Sequence, residues 1–478
     1  MAQVDNNNKN QSTGVSMLER LFKLSDHNTN VKTEVMAGLT TFVTMSYIMF
    51  LNPIIMSKTG MPFDGLFLAT CIGAAIATLL MGLYANWPVG LAPGMGLNAF
   101  FTFSVVGGMG YSWEIALGAV FISGVAFVLM SVTRLREWML DSIPMSLRLA
   151  MTAGVGLFLG FIGLRFTGIV IPNPDNVVAL ADLTHFGFGK FGPEAPALGF
   201  ISFLLITILS YRNVFGAVII GIAVTTFIAF AMTWVLPVDF FVVSEAAKSF
   251  APASGFVSYN GLLAIPDFAA IEPILFKADI AGAFTVAMIP VIVTFLFVNI
   301  FDTAGTLMGV AERANLQDKD GKIKGLSKSL KADSISSVIG TAFGCPPVTS
   351  YVESAAGVSV GGRTGLTAVT IGLLFALGVF FLPLAQMLPG FAVDGALIYV
   401  AMLMMSSLKG LDWSDLTEYA PAVATTIMMS LTFSIANGIA FGFVTYTILK
   451  AGTGKADQVS NGVWALTALF IAKFIFLP

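Results

Sequence analysis

The chain has 478 residues, of which 56% are hydrophobic and only 11% are charged, and its formal net charge is −3. Soluble domains carry about 25% charged residues, so this chain has too few charges to cover a water-exposed surface, and a soluble globular protein is excluded. No basic stripe suited to nucleic acid is present. The two cysteines, Cys71 and Cys345, lie far apart in apolar runs, which predicts neither a disulfide framework nor a metal site.

The chain begins with a polar stretch, residues 1–16, which is rich in Asn and Gln and is expected to be a disordered tail. Long unbroken apolar runs follow, and they indicate membrane helices rather than the alternating strands of a membrane barrel. We predict fourteen such segments, at residues 34–56, 65–84, 89–108, 113–133, 146–165, 196–211, 214–236, 281–311, 330–345, 350–362, 364–388, 392–408, 416–433 and 436–450. For a further run, 461–477, the sequence leaves open whether it crosses the membrane or lies along its surface.

The charges of the loops predict how the chain is oriented. Loops 134–148 and 312–333 are basic, whereas 166–195 and 237–280 carry mainly acidic residues. Lys and Arg accumulate on the cytoplasmic side of a membrane, and an even number of predicted segments precedes each basic loop. We therefore expect a multi-pass protein of the cytoplasmic (inner) membrane with its N-terminus in the cytoplasm.

Two of the apolar runs are poor simple helices. Residues 88–101 read PVGLAPGMGLNAFF, and residues 344–362 read GCPPVTSYVESAAGVSVGG. Proline removes a backbone donor and blocks a helix, so both stretches are expected to begin extended and to turn helical near Asn98 and Glu353. Such backbone must be buried in protein or line a cavity. Interrupted segments at the third place of each set of seven indicate an inverted-repeat transporter with its site at the membrane midplane.

Three polar residues in these regions are candidates for ligand binding. Asp302 lies in the apolar stretch TFLFVNIFDTAGTLMGV, and a carboxylate inside the membrane is a functional candidate; the alternative is a structural hydrogen bond. Thr306 lies one turn further on the same face. Glu353 and Asn98 lie in the two broken segments, where the alternative for each is a helix cap. Two carboxylates and an amide suit a flat heterocycle with N–H donors, such as a purine, and an anion fits poorly.

Several motifs resemble one family across about residues 17–475. They are GLTTFVTMSYIMFLNP, LAPGMGLNAFF, FDTAGTLMGVAERANL, KADSISSVIGT, SYVESAAGVSVGGRTGLTAV and SIANGIAFGFVTY, in this order. They resemble the AzgA-type purine permeases, the adenine/guanine/hypoxanthine permease family of the nucleobase/ascorbate transporter superfamily. The resemblance implies an all-α polytopic membrane protein with fourteen transmembrane segments in two inverted repeats of seven. It also implies a short strand in segments 3 and 10, and proton-coupled uptake of adenine, guanine or hypoxanthine.

The resemblance also divides the chain into a core domain and a gate domain. The core comprises 17–133 (segments 1–4) and 281–389 (segments 8–11). The gate comprises 134–236 (segments 5–7) and 390–478 (segments 12–14 with the terminal apolar run), and 237–280 is an external loop. The family further implies a homodimer in the lipid bilayer.

The motif positions imply roles for individual residues. Asp302, Glu353 and Asn98 are the implied substrate-binding side chains, Ala99 and Val352 the implied backbone contacts, and Thr306, Tyr351 and Ile48 further substrate-binding residues. Asp302 and Glu353 are also the expected proton carriers, because neither His27 nor His185 lies in an apolar segment. We expect no metal and no organic cofactor, with H⁺ as the coupling ion.

Three other functions are weighed against purine transport. An anion transporter on the same fold would use paired half-helix dipoles, and the two acids argue against it. An intramembrane enzyme would need a metal cluster or a nucleophile with its base, and no such motif is evident in the sequence. A pore needs no paired carboxylates over broken helices.

Overall fold

The computed structural model describes residues 17–133, 143–173, 177–181, 195–235, 261–314, 316 and 323–476. The predicted disordered tail 1–16 lies outside these ranges, as do most of the basic loop 134–148 and large parts of both acidic loops.

Helices dominate the described chain. In the first half they are α1 (Met17–Phe22), α2 (Val31–Met45), α3 (Ile48–Ser57), α4 (Phe63–Leu80), α5 (Met95–Ala99), α6 (Trp113–Val132), α7 (Met145–Phe166), α8 (Pro196–Tyr211) and α9 (Ala217–Val235). In the second half they are α10 (Ile280–Ala283), α11 (Ile289–Arg313), α12 (Leu326–Ala342), α13 (Ser354–Ser359), α14 (Gly365–Gly378), α15 (Leu382–Met387), α16 (Gly390–Met405), α17 (Leu416–Leu431), α18 (Ile435–Gly452) and α19 (Asn461–Phe476). The π-helical turns Met81–Ala85 and Phe100–Gly108 continue α4 and α5.

The helices have the length and composition of a membrane protein. Among the described residues, seven stretches are long and apolar enough to cross a bilayer: Val31–Ser57, Phe63–Ala85, Trp113–Val132, Met145–Phe166, Val286–Arg313, Gly365–Met387 and Gly390–Gly410. Other predicted segments coincide with shorter helices, such as Pro196–Tyr211 and Leu416–Leu431. The chain is therefore a helical membrane protein, and the number of fourteen segments stays a prediction.

The helices pack in two sets. In the first set, α14 packs against α2 and α4, and α12 and α11 pack against α6. In the second set, α7 packs against α16 and α17, α8 against α9 and α16, and α17 against α18. The two sets meet in several places, among them where α11 and α5 of the first approach α7 of the second, and where α11 approaches α18.

Both broken segments contain a short strand. β1 (Leu91–Pro93) and β4 (Val348–Ser350) pair antiparallel, with Ala92 opposite Thr349. The predicted extended starts of these segments are confirmed, although the first turns helical at Met95, three residues before Asn98. A separate hairpin is formed by β2 (Val170–Asn173) and β3 (Val177–Leu180).

The terminal apolar run forms α19, which lies alongside α18. Thr447 of α18 and Thr467 of α19 share a hydrogen bond of 2.7 Å, and the rings of Phe443 and Phe470 lie 5.7 Å apart. Since later residues of α19 meet earlier residues of α18, the two helices are antiparallel. Sixteen residues rise about 24 Å, so α19 extends along α18 over most of its length.

An ion pair in the last turn of α18 joins this helix to α17. The Lys450 side chain is 1% exposed, and its Nζ lies 2.6 Å from Oε1 of Glu418 and 2.9 Å from Oε1 of Gln458. The hydroxyl of Ser146, in α7, donates to the other oxygen of Glu418. The pair therefore connects three helices of the second set to the turn that precedes α19.

Replacing Lys450 with methionine is expected to destabilise the protein. Removing one partner of a buried ion pair costs about 3–5 kcal/mol, and the effect here falls below that range because Glu418 is 24% exposed. Thermal unfolding in detergent measures it. The matched control is Lys455→Met, because Lys455 is 39% exposed in its pair with Asp415 and exposed pairs contribute little. Equal melting temperatures for Lys450→Met and wild type would contradict the role of the pair.

Candidate functional site at the crossing of the broken segments

The two broken segments, 88–101 and 344–362, form one hydrogen-bonded unit around the paired strands β1 and β4, and we call this unit the crossing. Beyond the strand pairs, the Gly94 amide donates to the Pro347 carbonyl (3.0 Å), and the Tyr351 hydroxyl donates to the Pro93 carbonyl (2.5 Å). A Cβ on Gly94 would lie 2.8 Å from Cγ2 of Thr349. Glycine is therefore required here, because any side chain would push the segments apart.

Asp302 lies beside this crossing and faces a cavity. The cavity is lined by Asp302 of α11, Gly96 and Leu97 of α5, Thr152 and Val155 of α7, and Met404 of α16. Helices α11 and α5 belong to the first set, whereas α7 and α16 belong to the second set. Asp302 therefore faces the boundary between the two sets.

Glu353 lies at the turn between β4 and α13, and α13 packs against α11, the helix that carries Asp302. Glu353 occupies the N-cap position of α13, as the alternative interpretation expects, but its side chain makes no capping hydrogen bond. Instead, its Oε1 accepts a hydrogen bond of 2.7 Å from the Tyr47 hydroxyl. The structure thus brings the two predicted acids together.

Asn98 lies within α5 and is fully buried. The residue at the N-cap position is Gly94, so the interpretation of Asn98 as a cap is wrong. The Asn98 Nδ2 donates to Oδ1 of Asn52 (2.6 Å), and Asn52 in turn donates to Thr70 (2.6 Å). Within the described structure, Oδ1 of Asn98 has no hydrogen-bond partner. An unpaired buried acceptor is costly, and a ligand donor would remove this cost.

The other predicted residues lie around the same crossing. Val352 is 60% exposed although its neighbours Tyr351 and Ser350 are buried, so the turn before α13 opens onto free space. Ala99 is the last residue of α5, Ile48 the first of α3, and Thr306 lies one turn beyond Asp302 in α11. All three are buried, and their contact with a ligand stays a prediction.

A third carboxylate, Asp333, supports the crossing and was not predicted. It lies in α12, is fully buried, and accepts hydrogen bonds from the Ser350 amide (2.8 Å), the Ser350 hydroxyl (2.6 Å) and the Thr303 hydroxyl (2.8 Å). Thr303 also bonds to Thr349 (2.8 Å). Asp333 therefore connects α11, α12 and β4. The available signal was a carboxylate inside the predicted apolar run 330–345, the same signal that identified Asp302.

The far end of the second broken segment is bound by a fourth buried carboxylate. Glu34, in the first turn of α2, accepts hydrogen bonds from the amides of Arg363 (2.9 Å) and Thr364 (3.2 Å) and from the Thr367 hydroxyl (2.6 Å). It satisfies free donors at the start of α14, which gives it a structural role.

Comparison with known proteins identifies the family. A family model described as "Permease family" (Xan_ur_permease) matches residues 32–441. The chain belongs to this permease family. It is therefore a multi-pass membrane transporter and not an enzyme. The resemblance to AzgA-type purine permeases is confirmed by relatives that match nearly the whole chain.

Two relatives are similar to this chain in sequence, and one solved structure is similar to it in fold. Adenine permease AdeP of Escherichia coli K12 is 44% identical over 467 residues, which is 98% of each chain. Guanine/hypoxanthine permease PbuO of Bacillus subtilis 168 is 40% identical over 465 residues, 96% of this chain and 100% of the relative. The transmembrane domain of a cyanobacterium bicarbonate transporter, BicA, matches with a TM-score of 0.58 at 14% identity, over 85% of this permease and 97% of that chain. This last likeness concerns the fold alone.

Proposed function

We propose that this permease imports purine nucleobases (adenine, guanine or hypoxanthine) across the cytoplasmic membrane. The observation that carries the proposal is that Asp302 faces a cavity beside the crossing, while Glu353 lies at the start of α13, which packs against the helix of Asp302. Carboxylates accept the N–H groups of a purine, and the buried Oδ1 of Asn98 adds a further acceptor. The relatives named above, whose names state adenine or guanine and hypoxanthine, support the same substrate class.

Anion transport is the second candidate, because the fold resembles that of a bicarbonate transporter. The chemistry of the site disfavours it, since Asp302, Glu353 and Asp333 all lie at the crossing. We expect that excess bicarbonate or sulfate leaves the uptake of radiolabelled purine unchanged. Competition by either anion at millimolar concentration would favour the anion transporter instead.

We propose proton symport, with Asp302 and Glu353 as the proton carriers. The uptake of radiolabelled adenine by vesicles with an imposed pH gradient is expected to fall to background when a protonophore is added, because the driving force disappears. Dissipating only the membrane potential, with the pH gradient kept, serves as the control. Uptake that continues unchanged after the protonophore would refute proton coupling.

We further propose fourteen membrane segments in two inverted repeats, in which the first set of helices is the core domain and the second set the gate domain. The core would move against the gate in an elevator-like manner. The pairing of β1 with β4 supports this, because both broken segments belong to the first set and form one unit. The charge pattern of the loops supports a cytoplasmic N-terminus, and a homodimer is part of the proposal.

A disulfide across the boundary between the two sets is expected to arrest this movement. A Cβ on Gly96 would lie 3.6 Å from Cβ of Val155, within the range that disulfides need. Oxidation of the double variant Gly96→Cys/Val155→Cys should reduce uptake at least tenfold relative to its reduced form, and reductant should restore it. Val155→Cys alone, which cannot form this bond, should not respond to the oxidant. Full uptake by the cross-linked protein would contradict relative movement at this boundary.

A further inference from the structure

The first membrane segment contacts both broken segments. Tyr47 lies immediately before α3, is 1% exposed, and donates its hydroxyl to Oε1 of Glu353 in the second broken segment. Asn52, within α3, accepts from Nδ2 of Asn98 in the first broken segment. The chain from Tyr47 to Asn52 therefore binds both halves of the candidate site.

Each of these bonds engages one atom of a site residue. Tyr47 engages Oε1 of Glu353 and so fixes the orientation of the carboxylate. Asn52 engages Nδ2 of Asn98, and Oδ1 of Asn98 is buried without a partner in the described structure. Each broken segment thus presents a side chain with acceptor oxygens that is held in place by the first membrane segment. A carboxylate that is already oriented loses less side-chain freedom when a ligand binds.

We propose that Tyr47 is a positioning residue that fixes the Glu353 carboxylate, so that a single oxygen of it accepts an N–H from the substrate. This inference rests on the proposed function. It extends that function by giving Tyr47, which does not itself contact the ligand, an effect on how the ligand binds. The substrate class that fits is a planar heterocycle with N–H donors on two edges, one for Glu353 and one for Asn98.

The test is Tyr47→Phe, which keeps the ring and removes only the hydroxyl. Without the bond, Glu353 is free to rotate, so we expect purified protein to bind radiolabelled adenine and guanine about tenfold more weakly. In uptake, KM should rise by a similar factor while the maximal rate stays within twofold, and the melting temperature of the ligand-free protein should fall only slightly, because a single buried hydrogen bond is lost. The matched control is Tyr446→Phe, because Tyr446 is 2% exposed and lies in α18; its KM should equal that of wild type.

A second variant separates positioning from folding. Tyr47→Gln keeps a donor, and recovery of at least half of the lost affinity relative to Tyr47→Phe supports positioning. If both variants lose folded protein equally, the role of Tyr47 is structural and the proposal is overturned. An unchanged KM in Tyr47→Phe, with normal purine uptake by wild type, overturns this inference alone. A wild-type protein that neither binds nor imports any purine overturns the proposed function together with it.

Discussion

Uptake of radiolabelled purine is expected to fall at least a hundredfold in Asp302→Asn and in Glu353→Gln. Each change preserves the size of the side chain and replaces a carboxylate oxygen with an NH₂ group, which faces the substrate donor without accepting from it. A hydrogen bond to a charged group contributes about 1.5–3 kcal/mol, and about 1.4 kcal/mol corresponds to a factor of ten. Loss of the proposed proton carrier adds to the loss of binding. Initial rates in cells that lack other purine permeases measure the effect.

The control for this pair of variants is Glu312→Gln. Glu312 lies near the end of the same helix as Asp302, α11, and is exposed, so the same chemical change there should leave uptake at the wild-type rate. Membrane abundance and melting temperature should match wild type in all three variants. Normal uptake by both Asp302→Asn and Glu353→Gln would show that the site lies elsewhere.

Asp333→Asn is expected to destabilise the protein. Oδ2 of Asp333 accepts from the amide and the hydroxyl of Ser350, and an NH₂ group in its place would put a donor against a backbone donor. The alternative amide orientation avoids this conflict, because the Thr303 hydroxyl can accept from the NH₂ group while it donates to Thr349, but the bonds then lose the carboxylate charge. A neutral hydrogen bond contributes about 1 kcal/mol less than one to a charged group, so we expect a loss of about 1–3 kcal/mol. A correspondingly lower melting temperature and weakened purine binding are the expected results.

A serine in the same helix provides the comparison for Asp333. Ser336 is equally buried, but its hydroxyl donates only to the Ala332 carbonyl of its own helix (2.7 Å). Ser336→Ala should therefore change the melting temperature little. A wild-type melting temperature in Asp333→Asn would mean that these bonds do not stabilise the crossing.

The sequence predicts those parts of the site whose signal is local. The Pro and Gly residues of 88–101 and 344–362 indicated extended backbone, and Asp302 was evident as a charge among apolar neighbours. Asp333 was missed because Lys328 and Lys331 precede it, so it was assigned to the edge of a basic loop. Tyr47 was missed because its partner, Glu353, lies 306 positions away. An apolar run carries no signal for a contact over that distance.

The sequence also does not predict where α5 begins. It offers Asn98 as a helix cap, because Asn often begins helices. The structure begins α5 earlier, since Gly94 must lie close to Thr349 and the chain turns there. This constraint comes from the opposite strand, which is distant in the sequence. The antiparallel course of α19 along α18 has the same origin, because it depends on pairs such as Thr447 and Thr467.

The pairing of β1 with β4 also has a consequence for biogenesis. Leu91 can meet Ser350 only after 350 − 91 = 259 further residues have been synthesised, so β1 must wait in the bilayer without its partner strand. In the folded protein the hydroxyl of Thr78, on the preceding helix α4, bonds to both the amide and the carbonyl of Leu91 (2.9 Å each). Because α4 directly precedes β1, we expect this side chain to bond to the backbone groups of Leu91 before β4 has been synthesised. The binding site is therefore completed late, and the first half of the protein carries its own temporary protection for exposed backbone in lipid.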